Sequence, residues 1–346
     1  MYANMFNMNA KELIYNLLKN SSTPLSAVQI SRIKDAPSRT YTAHLLSELV
    51  SEEKVTKKRI GKEIFYSVNT SIFNQTLKIK NLHEDEIWEQ IRKTPGFIES
   101  LSDQTETALH FAFTEILNNA IDHSKSGTVS ILLDVTKTTV FFIIRDYGIG
   151  AFNSLMTKKK YPDTLSTIQE LVKGRNTSDP IRHSREGIFW TSKIADRFEL
   201  KSYDYSLIVD NIISDYTVKK LDEPTIGTEV YFEIEKKSQK SISELFHEYS
   251  LDHDALSLDT TAIPIKLYAL GEVWISRSQA KKVLEGLNKF KKIIFDFKGI
   301  DLIGQGFADE IFRVWQNSHP DIILEAINAN ENVEFMIQHA KNTIVE

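Results

Sequence analysis

The chain has 346 residues, 41% of them hydrophobic and 26% charged, with a net charge of −5. That length exceeds one average domain, and the mild acidity excludes a global pull toward nucleic acid, leaving only a local patch for such contact. No cysteine is present, which excludes disulfides, thiolate zinc sites and cysteine nucleophiles. No apolar run approaches the ~18 residues needed to cross a bilayer, and the start Met1-Tyr-Ala-Asn-Met-Phe-Asn lacks a basic region followed by an apolar stretch. A cytoplasmic protein without membrane contact is expected.

Residues 1–70 read as one unit. AKELIYNLLKN places Leu13, Ile14, Leu17 and Leu18 at helical spacing, and SAVQISRIKD predicts a second short helix with Ser26 as N-cap. SRTYTAHLLSELVSEEKV predicts a third, and VTKKRIGKEIFYSVN a hairpin turning at Gly61. Three helices and a hairpin in this order resemble a winged helix-turn-helix. Lys54, Lys57, Lys58, Arg59 and Lys62 crowd the proposed wing, and Arg39 and Thr40 open the third helix. Such residues suit phosphate contact and major-groove docking. Ser38, Thr40, Tyr41 and His44 are candidates to face base edges, with Tyr41 equally able to serve as core. Glu52, Glu53 and Glu63 flank the patch, and a winged helix can also serve as a protein-contact module.

Residues 71–105 read as helical and connecting, with a charged helix from Glu84 to Arg92 and His83 on the surface. Residues 106–236 carry the chemistry. In LHFAFTEILNNAIDHS, Glu115, Asn119 and Asp122 fall at i, i+4 and i+7, within an arc of about 60° on one helical face. Leu109, Phe113, Ile116, Leu117 and Ala120 occupy the other face. A carboxylate can orient and deprotonate water, and an amide oxygen suits a hard cation such as Mg²⁺. An apolar strand from Val140 to Ile144 then runs into Asp146-Tyr-Gly148-Ile-Gly150, an acceptor carboxylate followed by two glycines that admit close backbone approach. Strands are predicted at 128–135, 139–145, 197–202, 206–213 and 227–235. LVKGRNTSDPIRHSREG between them reads as a lid, with Lys173, Arg182 and His183 as candidates for phosphate contact.

E-x-x-x-N-x-x-D followed by D-x-G-x-G resembles the N and G1 boxes of the GHKL ATPases (gyrase, Hsp90, MutL, histidine kinases and anti-sigma serine kinases). REGIFWTSKIAD (Arg185 to Asp196) resembles the G2 region of the anti-sigma kinases, and Ile226-Gly227-Thr228 the closing Gly-Thr strand. The resemblance implies a Bergerat-type α/β sandwich that takes ATP and Mg²⁺. It implies Glu115 as general base, Asn119 as Mg²⁺ ligand and Asp146 as acceptor for the adenine amino group. Gly148 and Gly150 would admit the nucleotide, Thr228 would support the adenine, and Gly187 would turn helix N–H groups toward the phosphates. Asp122 matches a position that backs the site. Arg185 replaces the first G2 glycine, and either contacts a phosphate itself or blocks the usual backbone wrap.

Residues 237–262 read as a polar linker with one short helix, and 263–346 alternate strand and helix as in a small parallel layer. Strands are predicted at IKLYALG, KKIIFDFKGI and DIILEAIN, and helices at Arg277 to Phe290, FADEIFRVWQ and NVEFMIQHAKN. The run from Gly271 to Phe312 resembles a STAS domain, closest to the STAS-like domains of unknown function found behind GHKL ATPases. The turn Ile303-Gly304-Gln305-Gly306-Phe307 lacks the hydroxyl that STAS antagonists phosphorylate. It reads either as a turn needing glycine or as a docking point for an anion or partner. The fold class expected is therefore multidomain α/β: winged helix-turn-helix, ATPase domain, STAS-like domain. The function expected is an ATP-binding regulator and slow ATPase whose nucleotide state controls DNA or protein-partner binding, with homodimerisation open. The alternative is an anti-sigma-type serine/threonine kinase acting on a separate protein.

Overall fold

The computed structural model describes residues 10–21, 24–33, 36–52, 54–60, 63–68, 71–174, 184–250, 258–269 and 276–342. The chain divides into two compact units, Met1–Asn74 and Gln75–Glu346.

In the first unit, α1 (Ala10–Asn20) is followed by β1 (Leu25–Ser26), α2 (Ala27–Ser31), α3 (Arg39–Ser51), β2 (Val55–Ile60) and β3 (Glu63–Val68). Ser26 caps α2 as expected: its hydroxyl accepts from Gln29 N–H while the Gln29 side chain accepts from Ser26 N–H, a capping box. The strands form a sheet of order β1-β3-β2, all pairs antiparallel. Ile14, Leu18, Ile30, Leu45, Leu46, Leu49 and Val55 close the core, each burial stabilising by about 2 kcal/mol. Tyr41 is exposed rather than core.

β4 (Phe73–Lys78) straddles the division between the units, and α4 (Glu84–Arg92) and the long α5 (Asp103–His123) follow in the second unit. β4 corrects the purely helical reading of 71–105. Only Phe73 in it is buried, so it is a polar edge strand without the alternation that marks a strand in sequence. β5 (Thr128–Val135), β6 (Thr139–Asp146), α6 (Ala151–Lys159), α7 (Thr164–Lys173) and α8 (Ser184–Ile194) follow. β7 (Arg197–Asp210) and β8 (Asp215–Glu235) then form one long hairpin. The two strands predicted at 197–202 and 206–213 are one strand, interrupted by an irregularity at Ser202–Tyr205 that breaks the alternation. The five-stranded sheet has the order β4-β5-β6-β8-β7. Its apolar face meets α5 through Phe113, which sits edge-on to Phe142 at 5.7 Å, and Phe142 stacks on Phe232 at 5.0 Å.

α9 (Ile242–Tyr249) is the helix expected between the two layers, and it is amphipathic: Phe246 meets Trp190 at 4.5 Å and Tyr249 meets Phe189 at 5.3 Å. β9 (Thr260–Pro264) precedes α10 (Lys266–Ala269), so most of IKLYALG is not the strand expected; its apolar run belongs to a helical turn that buries Leu267 and Tyr268. α11 (Arg277–Leu284) ends earlier than predicted, before Gly286 at φ +69 and a 3₁₀ turn. β10 (Lys292–Asp296), α12 (Gln305–Asp309), a π-helical turn (Glu310–Trp315), α13 (Gln316–Ser318), β11 (Ile323–Ile327) and α14 (Glu331–Asn342) complete a parallel sheet of order β11-β10-β9. Gly304 sits at φ −70, so the backbone at its position does not demand glycine.

Candidate functional site

Three neighbouring strands change character at the same end of the antiparallel sheet. Along β6 the buried positions are Val140, Phe142, Ile144 and then Asp146. On β7 they are Phe198, Leu200 and then Ser202, and on β8 Ile234, Phe232 and Val230 lead back to Thr228. Asp146 pairs with Thr228, and Thr228 with Ser202. Directly paired residues share a face, so carboxylate, hydroxyl and hydroxyl lie in one row beyond an apolar stripe.

Asp146 is only 4% exposed. Its Oδ1 accepts from Gly148 N–H at 2.8 Å. Burial pushes its carboxyl above the ordinary value of 3.8, and donation from Gly148 N–H and from the Thr228 hydroxyl and N–H offsets only part of that. The Thr228 hydroxyl also accepts from Ala151 N–H at 2.9 Å, which ties the start of α6 to the row. The Ser202 hydroxyl is buried and meets no hydrogen-bond partner. An unmet buried hydroxyl is costly, and this one lies where a Cβ on Gly150 would be.

Glycines hold the backbone close around the row. Gly150 adopts φ +77, and a Cβ there would collide with Tyr203 at 2.7 Å. Gly227 adopts φ +79, and a Cβ would overlap the Asp146 carbonyl. Ile149 N–H donates to the Ser124 carbonyl at 2.8 Å, which pins the Asp146–Gly150 loop to the end of α5.

On α5, Glu115 and Asn119 are half-buried while Asp122 is exposed. The Asn119 amide nitrogen donates to the Glu115 carbonyl at 2.8 Å, so its oxygen is the group turned outward for a ligand. Gly187 lies in α8, and a Cβ there would overlap the Glu115 carboxylate. The glycine thus lets α8 close on the acid. Arg185 belongs to the same helix, but its side chain lies outside the described residues, as do Arg182 and His183.

Lys173 is corrected. It is 1% exposed, ion-paired with Glu170, and donates to the carbonyls of Lys282 at 3.3 Å and Glu285 at 2.8 Å. Its carbonyl accepts from Thr261 at 2.8 Å. Lys173 is a buried structural cation joining α7 to the parallel layer. Ser202 and Tyr203, whose hydroxyl donates to the Gly148 carbonyl at 3.3 Å, are members of the site that sequence reasoning did not select, and Gly227, read only as part of the Gly-Thr strand, joins them. The Gly-Thr pair signals that glycine. Ser202 is visible only as the polar end of the Phe198–Leu200 alternation.

In the first unit Arg39, Thr40, Lys57 and Arg59 are exposed, whereas Lys62 and the Lys58 side chain lie outside the described residues. The Ser38 hydroxyl caps α3 by accepting from Tyr41 N–H at 3.4 Å, which leaves its own O–H free to donate. Tyr41 stacks on His44 at 6.3 Å, and His44 faces Glu48 at 3.4 Å. Arg39, Tyr41 and His44 lie in the first turns of α3 and Lys57 and Arg59 on β2, while the carboxylates Glu48 and Glu52 near the end of α3 pair with Lys11.

Residues 9–69 match the TBPIP/Hop2 winged helix domain. Residues 279–334 match a STAS-like domain of unknown function, DUF4325. The chain opens with a winged helix and closes with a STAS-like fold. No curated protein and no solved structure matches it. Among the described residues no helix is long and apolar enough to cross a membrane.

Proposed function

We propose that the chain is an ATP-binding regulator with slow ATPase activity, whose nucleotide state controls how its winged helix or STAS-like domain engages DNA or a protein partner. The observation that carries this reading is the row Asp146–Thr228–Ser202, buried at Asp146 and Ser202 and half-buried at Thr228 between them. One desolvated acceptor and a hydroxyl without a partner, ringed by glycines, suit a flat base with an exocyclic amine. A base lacking that amine would leave the carboxylate unpaired, which is the source of selectivity.

In this reading Asp146 accepts from the adenine amine, and Thr228 and Ser202 complete the ring-edge contacts. Glu115, held against α8 at Gly187, orients and deprotonates the attacking water. Asn119 offers its amide oxygen to Mg²⁺. Among the described residues no three acidic or imidazole side chains converge on a metal position, so such an ion would draw its remaining ligands from triphosphate and water, as Mg²⁺ commonly does. Bound Mg²⁺ supplies neutralisation of triphosphate charge. The winged helix supports the regulatory half, with Arg39, Lys57 and Arg59 as phosphate contacts and Thr40 and His44 nearest to base edges.

Regulation has a thermodynamic requirement: ATP must prefer one arrangement of the chain, because equal affinity for both shifts nothing. Titration with ATP·Mg²⁺ and with a non-hydrolysable analogue, following phosphate release and oligomer size together, tests the first half. Saturable adenine-selective uptake with slow phosphate release is expected, and its absence rejects the reading. Duplex DNA affinity measured with and without ATP·Mg²⁺ tests the second; identical values reject the coupling. Label from ATP passing to a protein, with none appearing as free phosphate, would move the reading to an anti-sigma-type serine/threonine kinase.

A further inference from the structure

A second concavity of about 470 Å³ lies between α9, the turn of the β7–β8 hairpin and one face of the parallel sheet. That volume is in the range of small-ligand sites. Its polar groups have one dominant sign. Glu244 and Glu248 reach it from α9, one turn apart on the same helical face, and Asp296 reaches it from the end of β10. None of the three has an ion-pair partner among the described residues. Asp296 accepts only neutral donors, the Asn328 amide at 2.8 Å and the Lys298 N–H at 3.0 Å.

The two cations at the cleft are already engaged. Lys240 is paired with Asp196 at 2.6 Å and donates to the Ala195 carbonyl at 2.8 Å. Lys193 donates to the Tyr216 hydroxyl at 2.6 Å, with the rings of Phe189, Tyr216 and Tyr249 5.2–5.3 Å from its ammonium. Between the carboxylates the sheet contributes Ala262 and Ile294, paired across β9 and β10, and Ile327 beside Asp296. Thr260, on the same face, is 2% exposed, and its hydroxyl meets no partner among the described residues.

We propose that this cleft binds a short linear polyamine. Three carboxylates without counter-ions call for positive charge at more than one point, and the aliphatic sheet surface between them suits a methylene chain. The Thr260 hydroxyl supplies an acceptor for an ammonium hydrogen. A bare divalent cation fits poorly, because no three of the described acidic or imidazole side chains converge on a point. An amino acid fits less well than a polyamine, because its carboxylate would find no unengaged cation. The proposal stands apart from the nucleotide reading, since none of these residues touches the Asp146 row.

Calorimetric titration of the full chain with spermidine and with putrescine, at fixed ionic strength and without nucleotide, tests it. Saturable binding at one site per chain is expected. The double substitution Glu244→Gln and Glu248→Gln should weaken it by about tenfold or more, a difference of roughly 1.4 kcal/mol, with an unchanged melting temperature because both side chains are exposed. Asp296→Asn and Thr260→Val should each weaken it as well. Heat that merely follows ionic strength would overturn the proposal. So would equal affinity in the double variant, or tighter binding of L-glutamine than of spermidine.

Discussion

The two sheets of the second unit place carboxylates in opposite environments. The antiparallel sheet buries Asp146 at the end of an apolar stripe, donated to by Gly148 and Thr228 and surrounded by glycines. In the parallel sheet Asp296 lies beside an open cleft, facing the exposed Glu244 and Glu248. A buried acceptor is selective because a wrong ligand leaves it unmet, and it costs stability while it waits. Open carboxylates cost almost nothing and attract charge from a distance, with an affinity that salt erodes. In the two readings proposed above, one sheet discriminates between ligands and the other gathers charge.

The contrast breaks most readily at Gly227. Gly227→Ala forces a side chain into φ +79 and onto the Asp146 carbonyl, which should destabilise the unit by about 3 kcal/mol or more. A melting temperature within a degree of the parent would show that the row is not rigid. Gly187→Ala should behave differently, because the hard overlap of its Cβ is with the flexible carboxylate end of Glu115, while the Glu115 Cβ lies at an ordinary 3.4 Å. The fold should survive while ATP hydrolysis falls by about 100-fold, the scale of losing a general base; Glu115→Ala should match it. Hydrolysis at the parent rate in either variant removes Glu115 from its role.

Lys173 joins the two layers, and Lys173→Met removes a buried ammonium that pairs with Glu170 and leaves the carbonyls of Lys282 and Glu285 without its donation. A loss of about 2 kcal/mol by urea unfolding is expected, with nucleotide uptake retained. A parallel loss of uptake in the folded protein would return Lys173 to the phosphates.

Asp146→Asn sharpens the comparison through pH. The raised carboxyl holds its proton more tightly in the folded chain, so its contribution is greatest below 3.8 and is lost as pH climbs through the raised value. Asparagine keeps the acceptor for Gly148 N–H without the charge. Melting curves should therefore show the variant at least as stable as the parent at pH 7, by up to about 1 kcal/mol, yet unable to take up ATP. A less stable variant at pH 7 would mean the charge is supported by contacts beyond those seen. At the open cleft, Glu244→Gln with Glu248→Gln should alter stability by no more than about 0.5 kcal/mol.

Periodicity made α1, α5, β5 and β6 legible, because each buries one face at a regular period. β4 was hidden because a polar edge strand carries no apolar alternation, and the β7 irregularity split one strand into two apparent ones. For the candidate site, the helix face of Glu115 and Asn119 and the Asp146 loop could be read from spacing. Ser202 could not, since a serine ending a strand has the same appearance whether it faces water or a buried row. Lys173 misled for a related reason: a lysine beside a glycine-rich stretch looks solvent-bound until the carbonyls that receive it are in view.

Local residue pattern alone determined that this chain holds a basic helix-and-hairpin module, a helix bearing an acid and an amide on one face, and a strand that ends in aspartate and glycine. Local pattern acts within a few residues, and these features are local. Tertiary structure alone decided that Asp146, Thr228 and Ser202 share a row, that α8 closes on Glu115 through Gly187, and that Lys173 belongs to the seam between layers. Each of those depends on register or packing between segments far apart in the chain, where composition and spacing carry no information.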